Sequence, residues 1–175
     1  AWSLPGTDAL RAGLRAEMVG LLPRLRRFAC VLSGGGDEAD DLVQAACVKA
    51  LDRLHQYRPD TRMDRWMMRI VQTTWLDRGR ARTRRAETGD EAALAALSDG
   101  GRGARAAEDA LQLARVRAAM EALPQEQRAV LALVAVDGMS YREAAETLDV
   151  PVGTIMSRLA RARARLAPLM EETAR

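Results

Sequence analysis

Two cysteines, one histidine and one lysine are all that 175 residues contain of these types, and each scarcity closes off a class of chemistry. Cys30 and Cys47 lack CxxC spacing, and with His55 as the sole imidazole no zinc-ligand set can be assembled, so no metal and no cofactor is expected. The two thiols read as small packing side chains. No nucleophile–base pair or cofactor loop stands out either, which argues against an enzyme. Aromatics number six, so any stacking surface must be built from few rings. No apolar run approaches the roughly 18 to 20 residues of a membrane span, and the first eight residues carry no basic start followed by an apolar core. A cytoplasmic protein without membrane insertion is the expectation.

What the chain has in abundance is arginine, alanine and leucine. Of 27 basic residues 26 are arginine, against 24 acidic ones, for a net charge of +3. The balance is uneven. Residues 61–85 hold eight basic and two acidic side chains, whereas residues 86–126 hold four and eight. A basic stripe of this kind is the footprint of nucleic-acid binding, although a solvated helix face gives the same signal.

β-branched runs are nearly absent and apolar residues recur at helical spacing, so the chain reads as all-α. A first helix places Leu10, Leu14, Met18 and Leu21 on one face; Pro23 is expected to restart or kink it, with Leu25, Phe28 and Leu32 continuing until Ser33-Gly34-Gly35-Gly36 stops it. Asp37 is a good N-cap for the next helix, whose buried stripe is Ala39, Leu42, Val43, Ala46, Ala50 and Leu54. Thr61 and Asp64 match a capping box for a third helix. Met63, Met67, Ile70 and Thr74 mark its core side and Arg62, Arg65, Arg69 and Gln72 its polar side. Residues 86–106, rich in Ala, Gly, Asp and Glu, read as a linker between domains at 1–85 and 107–175. Its glycines lack the spacing and preceding strand of a phosphate loop. A flexible linker of 21 residues spans roughly 25 Å, so the free protein is expected to be compact or variably arranged.

In the second domain Leu113, Val116, Met120 and Leu123 share one helical face, Pro124 opens the next helix, and its segment from Ala129 to Val136 is apolar nearly all round and therefore central. Ser140 and Glu143 form another capping box ahead of a short helix with Tyr141, Ala144 and Leu148 inward. A tight turn through Asp149 and Pro151 leads to the last helix. There Val152, Ile155, Leu159, Ala162, Leu166 and Leu169 recur at steps of three and four, while Thr154, Arg158, Arg161 and Arg165 recur on another face beside Ser157. A short capped helix, a turn, and a helix with small polar residues followed by arginines is the layout of a helix-turn-helix.

The segments Ala122–Arg128, Gly138–Ala145 and Val150–Arg163 together resemble region 4 of the extracytoplasmic-function sigma factors. Upstream, Asp37–Gln44 resembles region 2.2, and Arg65–Ile70 with Trp75–Arg78 resembles regions 2.3 and 2.4. The resemblance implies an RNA polymerase subunit that binds core enzyme, recognises a promoter and helps to open it, with an anti-sigma factor as a further partner. It assigns core-polymerase docking to Asp40, Asp41, Gln44 and Lys49, with Leu42 serving packing. It assigns the minus-ten element, where an unstacked base needs a pocket and cations, to Arg58, Arg62, Arg65, Trp66, Arg69, Thr73 and Arg78. The minus-35 duplex falls to Thr154, Ser157, Arg158, Arg161 and Arg165. Cys47, Leu51 and Met63 stand where the family commonly has aromatics, Thr73 where asparagine is frequent, and Met156 where a basic residue is common. The main alternative is a stand-alone helix-turn-helix regulator that binds an operator without polymerase.

Overall fold

The computed structural model describes residues 5–87 and 104–173. Among them the regular elements are helical: α1 (Pro5–Ser33), α2 (Gly36–Asp52), a 3-10 turn at Leu54–Gln56, α3 (Met63–Glu87), α4 (Ala104–Glu121), α5 (Gln125–Leu131) with a π-helical turn at Ala132–Val136, α6 (Tyr141–Leu148) and α7 (Val152–Thr173). Helices α3 and α4 reach into both ends of the expected linker, and residues 88–103 lie outside the described residues.

Helices α1, α2 and α3 pack mutually, and α5, α6 and α7 form a second group with α4 against α7. Leu25, Phe28 and Leu32 of α1 are fully buried against Ala39, Leu42, Ala46 and Ala50 of α2 and Met67, Met68 and Val71 of α3. The second group buries Val130, Leu133, Ala144, Ile155 and Leu159. The two groups do not stand apart: their buried side chains form one continuous apolar cluster, with α3 against α6 and α1 against α5 and the π-helical turn.

Several local expectations are corrected. Pro23 lies inside one uninterrupted α1. The N-cap of α2 is Gly35, because Gly34, Gly35 and Gly36 all take positive φ and let the chain re-enter a helix early; Asp37 sits in the first turn, where its charge favours the helix dipole. Asp64 turns away from Thr61 toward Arg62, Arg24 and the Arg65 N–H. Gln72 is buried, whereas Leu10, Leu113, Val116, Tyr141 and Val152 are exposed. The side chain of Leu169 lies outside those described.

One buried arginine ties the halves together. Arg128 donates to the Leu32 carbonyl at 2.6 Å, closing the α1 C-terminus, and to the Glu121 and Leu123 carbonyls at 2.5 and 3.1 Å, closing the α4 C-terminus. Helix C-termini leave carbonyls without partners, and a guanidinium serves three at once. Burial pushes the Arg128 pKa below its ordinary value.

Candidate nucleic-acid interface

The N-terminal turns of α3 carry most of the residues assigned to the minus-ten element. Tyr57 and Trp66 meet with ring centroids 5.2 Å apart at a tilt of 58°, and the Tyr57 hydroxyl donates to the Thr61 carbonyl. Together they hold the loop between α2 and α3 against the helix. Half-buried Trp66 lines a cleft of about 300 Å³ with Thr61, Arg62, Arg65, Arg69 and Glu146. Arg58, in the loop before α3, is exposed. Further along, Thr73 returns its hydroxyl to the Ile70 carbonyl and Arg78 donates to the Asp41 carbonyl at 3.0 Å, so both are spent within the first helical group.

The cleft is closed from the other side by α6. Arg65 donates to Glu143 at 2.9 Å and to Glu146; Arg62 reaches Glu143 at 3.3 Å; Arg69 reaches Asp149 at 2.7 Å. Below them Arg24 bridges Asp137 at 2.6 Å and Asp64 at 2.5 Å, and Arg62 adds a second bond to Asp64 at 2.8 Å. The hydrogen bonds that Arg24 donates to Asp137 and Asp64 raise its pKa against the cost of burial. Burial opposes the Asp64 carboxylate, but Arg62 and Arg24 outweigh it and hold its pKa below the ordinary value. Glu143 is held down to about 2, first by the Ser140 N–H and hydroxyl of the α6 capping box and then by Arg65. A capping residue thus doubles as the acceptor for Arg62, just ahead of α3, and Arg65 within it, a role that local sequence chemistry could not reveal.

Helix α6 and α7 form the expected helix-turn-helix. The capping box starts α6, Asp149 closes it in the left-handed region at φ 55°, and Ile155, Leu159 and Ala162 seat α7. The outward side of α7 is divided. Val152, Met156, Ser157 and Ala160 are exposed over its first turns, and Ser157 donates to the Thr154 carbonyl at 3.1 Å. Arg158 is four-fifths covered and paired to Glu126 of α5 at 3.1 Å. Arg161, Arg163 and Arg165 are exposed and form no ion pair among the described residues.

On α2, Asp41, Gln44, Val48 and Leu51 recur at steps of three, four and three and are all exposed, giving a mixed polar and apolar strip opposite the core stripe. Val48 and Leu51 were missed as functional candidates; their signal was apolar character away from the buried periodicity. Asp40 is engaged by Arg26 at 2.6 Å and Lys49 by Asp77 at 3.3 Å. Cys30 and Cys47 are free and half-buried, and burial pushes the Cys47 thiol pKa up.

Residues 19–85 match the family model for sigma-70 region 2, and residues 113–166 that for sigma-70 region 4. The chain is 38% identical over 168 residues to the ECF RNA polymerase sigma factor EcfG of Rhodopseudomonas palustris, covering 95% of this chain and 88% of the relative. It is 36% identical over 147 residues to the ECF RNA polymerase sigma factor SigM of Mycobacterium tuberculosis, covering 84% and 71%. Among solved structures it resembles the sigma factor RpoE of Bartonella quintana, crystallised with the anti-sigma factor NepR, with a TM-score of 0.73, 30% identity, and 90% and 96% of the two chains covered.

Proposed function

This chain belongs to the extracytoplasmic-function sigma factors of the sigma-70 family, and from that premise we propose how its surfaces divide the work of transcription initiation. It binds core RNA polymerase, recognises minus-35 and minus-ten promoter elements and directs initiation, acting in the cytoplasm and held in check by an anti-sigma factor. The observation that carries this reading is the pairing of a helix-turn-helix with a first helical group whose basic helix borders a cleft with an aromatic wall.

Core docking falls to the α2 strip, where Asp41 and Gln44 supply polar contacts and Val48 and Leu51 apolar ones. Asp40 and Lys49, already paired, act at its margins. In the minus-ten element Trp66 walls the pocket for an unstacked base, and Arg58, Arg62, Arg65 and Arg69 supply cations for the single strand. Thr73 and Arg78 contribute by fixing the helix. At the minus-35 duplex Arg161 and Arg165 meet phosphates or guanine edges, Thr154 and Ser157 lie near the helix N-terminus, and Arg158 supports them from its pair with Glu126. Exposed Met156 and Val152 offer apolar surface suited to a thymine methyl.

Run-off transcription with purified core polymerase on a library of randomised promoters tests the whole reading. Transcripts that require the chain, and that share sequence at two separated elements, are the expected result. Tight, sequence-specific binding by the chain alone, with no polymerase association, would instead make it a stand-alone regulator.

A further inference from the structure

We propose that the C-terminal turns of α3 form a second nucleic-acid surface, in which Arg80 and Arg84 hold the sugar-phosphate backbone of the duplex just upstream of the minus-ten element. The inference rests on the sigma-factor reading of the α3 cleft and extends it to a stretch of DNA that neither recognition surface touches.

Helix α3 runs well past the cleft. With the turn of an α-helix, Arg65, Arg69, Thr73, Arg80 and Arg84 fall along one side, at steps of four, four, seven and four. The other side of its last turns is engaged with α2: Arg78 donates to the Asp41 carbonyl at 3.0 Å, and Arg82 pairs with Glu38 at 2.5 Å while lying 4.6 Å from the centre of the Trp75 ring. Those contacts fix the end of the helix in place. Arg80 is 69% exposed, and its ion pair is a long one of 3.8 Å to Asp77 on its own helix, a carboxylate that Lys49 of α2 approaches more closely at 3.3 Å. Solvated pairs of this kind are weak, so exchanging Asp77 for a phosphate costs little. Arg84 is exposed one turn further on.

The make-up of this row decides which nucleic acid it suits. Single strands are held by cations interleaved with exposed rings, and the cleft has Trp66 for that purpose. The next ring along α3, Trp75, is buried, so Arg80 and Arg84 offer charge without a stacking partner, which suits the phosphates of a duplex. Chain direction supplies the side. The end of α3 leads through residues 88–103 to the helices that read the minus-35 duplex, so DNA lying along it is the spacer between the two elements. Arg80 and Arg84 stand about 16 and 22 Å along the helix from Arg69 at its rise per residue, a reach of about five to seven base pairs of duplex. Contacts of this kind fix position and register without reading sequence.

The test uses holoenzyme reconstituted from the full chain and core polymerase, with two fluorescein-labelled probes built on a promoter selected by the run-off library. One is a fork-junction DNA, duplex from the minus-35 element to the edge of the minus-ten element and single-stranded beyond; the other is the minus-ten single strand alone. Arg80→Ala with Arg84→Ala should weaken fork-junction binding about fivefold or more and lower its salt slope by about one to two, while binding of the single strand stays within about twofold. Arg80→Lys with Arg84→Lys keeps both charges and should retain the wild-type slope. Neutral methylphosphonate linkages within about seven base pairs upstream of the minus-ten element should weaken wild-type binding and leave the alanine variant unaffected. Equal loss on both probes, a lysine variant as weak as the alanine variant, linkage effects that persist in the alanine variant, or no loss at all would overturn the proposal. Failure of the wild-type chain to co-purify with core polymerase would instead remove the sigma-factor reading, and the duplex contact then stands or falls on the same probes bound to the chain alone.

Discussion

Arginines recur at steps of three and four at the start of α3 (62, 65 and 69) and along α7 (158, 161 and 165), yet their surroundings differ. At the start of α3, Arg62, Arg65 and Arg69 are all paired to carboxylates some eighty residues away in sequence, while on α7 Arg158 pairs with Glu126 and Arg161 and Arg165 face solvent with no ion pair among the described residues. Periodicity finds a basic face but says nothing about what lies against it. A cation's availability is a tertiary property, decided by which acidic helix the fold brings alongside.

The largest effect expected from a single substitution belongs to an arginine on neither face. Arg128→Ala would strip partners from the Leu32, Glu121 and Leu123 carbonyls at once. Leaving buried acceptors without donors costs about 1 to 3 kcal/mol each when water cannot reach them, so a loss of about 3 kcal/mol is expected by urea unfolding. A loss below about 1 kcal/mol would mean that the two helical groups are not held together through this residue.

Within α7 the contrast sharpens between neighbours. Arg161→Ala in holoenzyme should cost about 1 to 3 kcal/mol of minus-35 affinity if it reads a base, or lower the salt slope by about one if it meets a phosphate. Arg158→Ala should cost less affinity, because its guanidinium is committed to Glu126, and should lower folding stability by about 0.5 kcal/mol. Equal losses of affinity would show that Arg158 leaves Glu126 when DNA arrives. Filter-binding titrations over a salt series separate these outcomes.

Acid should open the α3–α6 interface late. Glu143 is held at about 2 against an ordinary 4.5 by the Ser140 N–H and hydroxyl and by Arg65. A carboxylate with a lowered pKa contributes fully above its ordinary value and loses that contribution as pH falls toward the lowered one. Asp64, also lowered, acts in the same direction. Scattering and far-ultraviolet circular dichroism should therefore be flat from pH 8 to about 5, with expansion and loss of α6 only below about 4.5. Opening near pH 6 would point to a different titrating group.

How much of this was legible beforehand follows the range of each interaction. The Ser140–Glu143 capping box and the Ile155, Leu159 and Ala162 stripe are local patterns, and both were read directly from the sequence. The N-cap of α2 was misplaced because three glycines in the left-handed region outvoted an aspartate. Leu113 and Val116 within α4 and Val152 at the start of α7 had core spacing yet are exposed, so periodicity overcounted the core. Among the candidate site residues, positions came from pattern and resemblance, but the commitments of Arg158, Arg78, Asp40 and Lys49 to partners on other helices required the fold.

The smallest expected effect probes the closed cleft from outside. Arg142 reaches Glu146 along α6 at 3.6 Å, with its own side chain almost wholly in solvent. Glu146 is thus shared between Arg142 on its own helix and Arg65 on α3. Exposed helical pairs at this spacing contribute about 0.3 to 0.5 kcal/mol, and removing one competitor for a shared carboxylate leaves the other better served. Arg142→Ala should accordingly tighten the α3–α6 contact slightly and lower single-strand affinity by less than about twofold, opposite in sign to loss of Glu146. Removing a cation near a DNA-binding cleft lowers affinity by electrostatics as well, so binding alone cannot separate the causes. Scattering can: a slightly more compact protein supports competition for Glu146, whereas unchanged dimensions with weaker binding would assign Arg142 to direct contact with the strand.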